Sequence, residues 1–129
     1  MSENNPPVSR PQGRKRLPDR RQVVRREFES DPQDERGVPC TVSIGFADDG
    51  RPAEVFLSTR KRGSMFDALM HDAGIAISLA LQHGATVEEM EHSFGRTSDG
   101  KRTTVLGTAI DFAAAVAAEN AKVETCAPR

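Results

Sequence analysis

The sequence contains no tryptophan and no tyrosine, so its six phenylalanines supply all of the aromatic bulk. It has two cysteines, Cys40 and Cys126, which are distant in sequence and form no CxxC pair. Two such residues cannot build a disulfide framework, and their spacing is not that of a metal site. We therefore expect Cys40 to occupy a buried strand position and Cys126 to be an incidental thiol in the polar tail.

Long apolar runs are missing as well. No stretch approaches the roughly 18 consecutive apolar residues of a membrane-spanning helix. The N-terminus is polar and contains prolines, which does not fit the apolar core of a signal peptide. These absences, together with the sparse use of cysteine, predict a cytoplasmic protein that has no membrane partner.

Catalytic signatures are also missing, because no GxSxG, HExxH, GxGxxG or Cys–His arrangement occurs. The three histidines are not spaced as a metal-binding set. The sequence therefore predicts no catalytic residue, no metal site and no cofactor held by this chain.

The charge is unevenly distributed, although the net charge is only −1. Residues 1–27 carry eight arginines or lysines and three acids, whereas the remainder of the chain is acidic on balance. Residues 1–19 combine several prolines with polar and basic neighbours, which predicts a disordered basic arm. We expect one domain over residues 20–121 and a flexible tail over residues 122–129.

The basic arm allows two interpretations. Its cations could neutralise the phosphates of a nucleic acid, and the lack of an aromatic residue before Phe28 would then favour non-specific contact. Alternatively, the arm could dock onto an acidic protein surface, including that of its own domain. The residues concerned are Arg10, Arg14, Lys15, Arg16, Arg20, Arg21, Arg25 and Arg26.

Three segments have the alternating pattern of strands. Residues 20–29 fit a half-exposed edge strand, and such an edge would permit a homodimer formed by strand pairing. A hairpin follows, with a turn at Asp48–Gly50 and a third strand over residues 52–58. The side chains expected to face the core are Cys40, Val42, Ile44, Phe46, Ala53, Val55 and Leu57.

The period then changes to that of helices. Ser64 is a natural N-cap for a helix of about twenty residues that ends near Gly84. Its apolar residues at three- and four-residue steps are Phe66, Leu69, Met70, Ala73, Ile77, Ala80 and Leu81. A capping box of Thr86 and Glu89 begins a short helix, and a last helix starts near Thr108 and fades after Asn120. The sequence thus predicts an α+β fold, β-β-β-α-α-α, with a three-stranded antiparallel sheet and three helices on one face.

The segment of Arg60, Lys61, Arg62, Gly63 and Ser64 joins the third strand to the long helix. Helix N-termini favour anions, so this segment could bind a phosphate, although a solvated basic turn is the alternative. Three further polar candidates follow on the helix: His71, Gln82 and His83. His71 could pair with Asp67 on the helix surface, and His83 could bind the terminal carbonyl groups or face solvent.

The segments RLPDRR, FADDGRPAEVFL, KRGS, AGIAISLALQHGATVEEM and GTAIDF, in this order, resemble the TSCPD domain over about residues 16–117. That domain is found at the C-terminal end of adenosylcobalamin-dependent (class II) ribonucleotide reductases and as short free-standing proteins. The resemblance implies a link to deoxyribonucleotide synthesis and hence to DNA replication. It also implies that the radical chemistry and the adenosylcobalamin belong to a larger partner, a reductase catalytic subunit.

On this basis we expect an accessory or regulatory module that binds a reductase subunit, a nucleotide phosphate, or both. The alternative is a nucleic-acid-binding protein that acts through the basic arm. The element order is also similar to that of iron–sulfur scaffold proteins of the NifU and IscU type. Those proteins place a cysteine where this chain has Arg62, so the resemblance supports the fold and does not imply cluster assembly.

Overall fold

The computed structural model describes residues 13–14, 22–29, 39–60 and 63–126, with side chains up to residue 120 in the last helix. The elements are β1 (Val23–Glu29), β2 (Pro39–Phe46), β3 (Pro52–Thr59), α1 (Met65–Gln82), α2 (Val87–Ser93) and α3 (Val105–Cys126). The predicted β-β-β-α-α-α order is confirmed. Most of the predicted arm, and residues 127–129 of the predicted tail, lie outside the described residues.

The three strands form one antiparallel sheet in the order β1-β2-β3. Ile44 of β2 lies at its centre and pairs with Val24 of β1 and with Val55 of β3. The turn between β2 and β3 is the predicted one, and Gly50 has a φ of 87° there. Glycine adopts this left-handed conformation without the steric cost that a Cβ would bring.

One face of the sheet carries the hydrophobic core. Because side chains alternate along a strand, the predicted core residues of β2 and β3 all point to this face, and all are buried. Cys40 is 1% exposed, which confirms its predicted position. The helices contribute the other side of the core, with Met70, Ile77, Leu81, Val87, Val105, Ala109, Ile110 and Ala113.

The helix boundaries agree with the sequence for α1 and α2 but not for α3. The Ser64 hydroxyl caps α1 by accepting from the Asp67 N–H, and the Thr86–Glu89 capping box begins α2. The predicted start of the last helix near Thr108 is wrong, because the Thr104 hydroxyl accepts from the Gly107 N–H and α3 begins directly after it. The helix also continues to Cys126, beyond the predicted end near Asn120.

Helix α1 packs directly on the outer edge of β3. The Arg60 N–H donates to the Pro39 carbonyl, so alternate residues of β3 bond to β2, while the backbone groups of Ala53, Val55, Leu57 and Thr59 point outward. The helix comes so close at Gly74 that a Cβ there would lie 2.9 Å from the Val55 carbonyl oxygen. The glycine therefore permits this contact between helix and strand.

Polar side chains of α1 bind the outward-pointing backbone groups of β3. The Ser78 hydroxyl accepts from the Val55 N–H at 2.8 Å and donates to the Val55 carbonyl at 3.0 Å. The Gln82 amide donates to the Ala53 carbonyl at 3.1 Å. Because unpaired groups on a sheet edge promote uncontrolled pairing, α1 protects this edge of the sheet.

Candidate functional site

The predicted anion site lies where β3 passes into α1. Arg60 is exposed at the end of β3, and Gly63 adopts a φ of 80° with open space around it. Lys61 and Arg62 lie outside the described residues. The Ser64 hydroxyl accepts from the Asp67 N–H at 3.1 Å, so this hydroxyl serves as a helix cap. The segment therefore brings Arg60 and a capped helix N-terminus together.

A carboxylate of the protein itself lies inside this N-terminus. Asp67 is buried, and its Oδ1 accepts from the Thr59 N–H at 3.1 Å and from the Thr59 hydroxyl at 3.2 Å. The Thr59 N–H lowers the pKa of Asp67, despite the opposing effect of burial, and Gly63 and His71 contribute in the same direction. The interpretation of Asp67 as a surface residue is therefore wrong, because the free edge of β3 attracts its carboxylate.

The other polar candidates do not converge. His71 is exposed on α1, whereas Gln82 is buried and is held by β3. The Nδ1 of His83 lies 2.8 Å from the Leu79 carbonyl oxygen, which confirms the predicted contact with a terminal carbonyl group. The buried Nε2 of His83 has no hydrogen-bond partner among the described residues. Together these three side chains form no site among the described residues.

A different surface emerges on the outer side of α1, which we call the α1 surface. It consists of four exposed apolar side chains: Met65 (74% exposed), Leu69 (59%), Ile75 (50%) and Leu79 (40%). Phe56, on the strand against which α1 packs, is 48% exposed. Leu69 belongs to the apolar three- and four-residue steps of the sequence, yet it faces outward, because Gly74, Ser78 and Asp67 turn toward β3 instead.

Of the described residues, six large apolar side chains are exposed, and five of them belong to the α1 surface or to Phe56. Single exposed apolar residues are ordinary in soluble proteins, whereas a group of them on one side indicates an association surface. Sequence reasoning missed this surface because α1 has apolar residues around most of its circumference. The polar residues that face β3 were the available signal, since a helix that buries Asp67, Ser78 and Gln82 must expose some of its apolar residues.

The sequence of most of the chain is similar to that of a known domain family. The model of the TSCPD domain matches residues 9–118. This chain belongs to the TSCPD domain family. The match includes residues 9–19 of the segment that we predicted to be a separate arm.

The relatives of this TSCPD domain are much longer proteins. The chain is 36% identical over 84 residues to a vitamin B12-dependent ribonucleotide reductase of Rhodopirellula baltica, which is 65% of this chain and 8% of that protein. It is also 36% identical over 81 residues to a protein of the same name from Agrobacterium fabrum, which is 63% of this chain and 6% of that protein. No solved structure matches the chain significantly.

Two clefts of the TSCPD domain are small. One, of about 280 Å³, lies between the β2–β3 turn, the start of α2 and the C-terminal half of α3. The other, of about 240 Å³, lies between β1 and α3 and is lined by Arg26, Phe28, Asp111 and Phe112 among others. Both are below the usual size of ligand pockets, so neither fits a group as large as adenosylcobalamin.

Other absences concern the described part of the chain alone. Its histidine, cysteine and acidic side chains form no group of three that could hold a metal ion. No described helix has the length and apolar character needed to cross a bilayer.

Arg102 organises the C-terminal half of the TSCPD domain. Its side chain is 5% exposed and forms two hydrogen bonds to the Asp111 carboxylate, at 3.0 and 2.6 Å. It also donates to the carbonyl oxygens of Phe94 and Glu91, at 2.9 and 2.8 Å. Arg102 lowers the pKa of Asp111 and so favours the ionised carboxylate. This cluster fixes the loop between α2 and α3 and has the character of a structural site.

Three of the eight basic residues at positions 10–26 lie within the described segments, and each has a partner on the domain. The Arg14 Nε donates to the Gln82 side-chain oxygen at 2.6 Å. The Arg25 Nε donates to the Ser43 hydroxyl at 3.3 Å, and the Arg26 guanidinium lies 5.3 Å from the centre of the Phe112 ring. For these three residues, the contacts agree with the interpretation in which the basic residues dock onto their own domain.

Proposed function

We propose that this TSCPD domain is a non-catalytic accessory module of ribonucleotide reduction that binds a ribonucleotide reductase polypeptide through the α1 surface. The observation that carries the proposal is the similarity to two vitamin B12-dependent ribonucleotide reductases, of which the chain spans 8% and 6%. The reductase partner would supply the radical chemistry and the adenosylcobalamin. The complex would act in the cytoplasm, in deoxyribonucleotide synthesis for DNA replication.

The structure supports the choice of the α1 surface. Protein interfaces gain much of their binding energy from a few apolar side chains that become fully buried on association. The α1 surface offers four such side chains on one rigid helix. The hydrogen bonds of Ser78 and Gln82 to β3 hold that helix in place, so little ordering entropy opposes binding.

The test is a direct binding measurement with the purified ribonucleotide reductase of the same organism. Leu69→Glu places a charge in the α1 surface, and we expect at least a tenfold weaker affinity. Ala118→Glu, at an exposed position of α3, is the matched control and should keep the affinity within about twofold. Calorimetry would measure both variants, with circular dichroism to confirm that they fold. The absence of any binding by the wild-type chain at tens of micromolar would contradict the proposal.

Phosphate binding at Arg60–Ser64 stays a prediction. The negative carboxylate of Asp67 already lies at this helix N-terminus and would compete with a phosphate for it. Equilibrium dialysis with a radiolabelled ribonucleoside diphosphate would test it. Binding that is lost in Arg60→Glu and kept in Arg51→Glu would support the site. Equal binding by both variants would refute it.

A further inference from the structure

The two edges of the sheet differ in whether another element covers them. Helix α1 covers the edge of β3, whereas no described element pairs with the outer edge of β1. We infer that a second copy of this chain pairs with β1, antiparallel to it, so that two molecules form one six-stranded sheet around a twofold axis at Arg26. This inference is independent of the proposed function, since it uses the opposite edge of the sheet.

The backbone of β1 restricts how a second strand can pair with it. The Phe46 N–H donates to the Gln22 carbonyl at 3.1 Å, and Gln22 and Phe46 are opposite each other in the β1–β2 register. In an antiparallel pair, hydrogen-bonded positions alternate, so the even residues 22–28 bond to β2. The N–H and C=O groups of the odd residues 23–29 therefore point outward. A twofold strand pair must join odd residues to odd residues.

Three twofold registers satisfy this rule with a substantial overlap, and they differ in which charges meet. With the axis at Arg25, two arginines are opposed as a hydrogen-bonded pair, and no opposite charges meet. With the axis at Glu27, two glutamates are opposed in the same way, although Arg25 then lies opposite Glu29 of the second copy. With the axis at Arg26, Arg25 lies opposite Glu27 of the second copy, and the symmetry repeats this pair. Opposite charges across a strand pair stabilise it and like charges destabilise it. The charges therefore disfavour the axis at Arg25, and the longer overlap and the apolar pairs of the next paragraph favour Arg26 over Glu27.

The same register also brings two apolar residues together, although Val23 lies opposite Glu29 of the second copy. Val24 lies opposite Phe28 of the second copy on the core side of the sheet, and both are half-buried in the single chain. All seven residues of β1 are paired, which is the largest overlap that the strand allows. Apolar pairs of this kind at close, non-hydrogen-bonded positions add to the stability of a sheet.

The two Arg26 side chains meet at the axis, and the structure shows how their repulsion is reduced. Each guanidinium lies over the ring of Phe112 on α3, 5.3 Å from its centre, and so points away from β1. The attraction between a cation and an aromatic face holds each guanidinium toward its own α3.

The dimer would also leave no open edge. Its sheet would run β3-β2-β1 in one copy and β1-β2-β3 in the other, with α1 covering the edge of β3 at both ends. The α1 surface of each copy would remain exposed. Since oligomers with a single twofold axis are the commonest, and their interfaces are self-complementary, β1 has the character that such an interface needs.

The first test measures the mass of the full chain in solution by light scattering after size exclusion. We expect twice the 14.1 kDa of the single chain. Arg25→Glu and Glu27→Arg, each alone, replace two attractive pairs by two repulsive ones, so each should weaken dimerisation on the order of tenfold or more. Mixing the two variants should restore a dimer, because the glutamate introduced in one copy then lies opposite the arginine introduced in the other. A monomer of wild-type chain at 100 µM, or a mixture that stays monomeric, overturns the inference.

The second test reads the register directly. In a Cys126→Ser background, Arg26→Cys places two thiols at the axis, with Cα atoms about 4.5 Å apart, which a disulfide can bridge. Mild oxidation should cross-link this variant quickly. Arg25→Cys is the matched control, because its two thiols lie diagonally. At a concentration where light scattering shows that this variant is also dimeric, it should cross-link at least tenfold more slowly. A dimer in which the control cross-links as fast as Arg26→Cys has a different register and overturns the inference.

Discussion

The hydroxyl of Ser78 gives the sharpest test of how α1 is held on the sheet. Ser78→Ala removes both of its hydrogen bonds to Val55, whose backbone is enclosed by α1 and whose side chain is 0% exposed. Each buried backbone group left without a partner costs about 1–3 kcal/mol. Alanine recovers about 0.5 kcal/mol through its better helix propensity. Since two such groups are left, we expect the free energy of unfolding to fall by about 1.5–5.5 kcal/mol.

Urea denaturation followed by circular dichroism measures this loss, and in a domain of this size the melting temperature should fall by about 4–8 °C for each kcal/mol lost. Ser93→Ala is the matched control, since the Ser93 hydroxyl donates to the Glu89 carbonyl on an exposed helix. Amide hydrogen exchange measures the effect at single residues. The Val55 N–H should lose its protection from exchange, while the Phe56 N–H, which points to β2, should keep it. Equal stability losses in the two variants, with unchanged exchange at Val55, would refute the reasoning.

Two further predictions concern the packing of α1 and the cluster around Arg102. Gly74→Ala should destabilise the protein by about 1–3 kcal/mol in urea denaturation, although alanine favours helices, because the new Cβ meets the Val55 carbonyl at 2.9 Å. Ala73→Gly is its control, and a stabilised Gly74→Ala would contradict the close contact. The lowered pKa of Asp111 contributes stability that is present above the unfolded pKa near 4 and is lost as the pH falls through the folded pKa. Asp111→Asn should therefore weaken the loss of stability as the pH falls below about 4 in urea titrations, and an unchanged pH profile would contradict it.

The fold could be predicted from the sequence where neighbouring residues determine which side chains are buried and where a helix begins. The alternation of Cys40 to Phe46 required one buried face, and the capping residues Ser64 and Thr86 marked the starts of α1 and α2 correctly. The start of α3 was missed because Thr104 stands in a run of polar loop residues. Its capping role becomes visible only when Val105 is seen to be buried.

The candidate site was harder to predict, because it depends on which edge of the sheet α1 covers. Asp67 looked like a surface residue and Leu69 like a core residue, and the structure reverses both. The reversal has one physical cause: the outward-pointing backbone groups of β3 need polar partners. A sequence pattern records the period of a helix, but it does not record that a strand edge, rather than an apolar face, lies opposite.

The nucleic-acid alternative makes a different demand on the basic residues. Binding through counterion release requires free cations, yet Arg14, Arg25 and Arg26 already contact Gln82, Ser43 and Phe112. If the alternative is correct, the logarithm of the affinity for a DNA duplex should fall steeply with the logarithm of the salt concentration. Deleting residues 1–12 should flatten that slope by about one unit, because it removes one arginine, Arg10. If instead the basic residues serve their own domain, the chain should bind the duplex only weakly at physiological salt, and the same deletion should leave that binding unchanged.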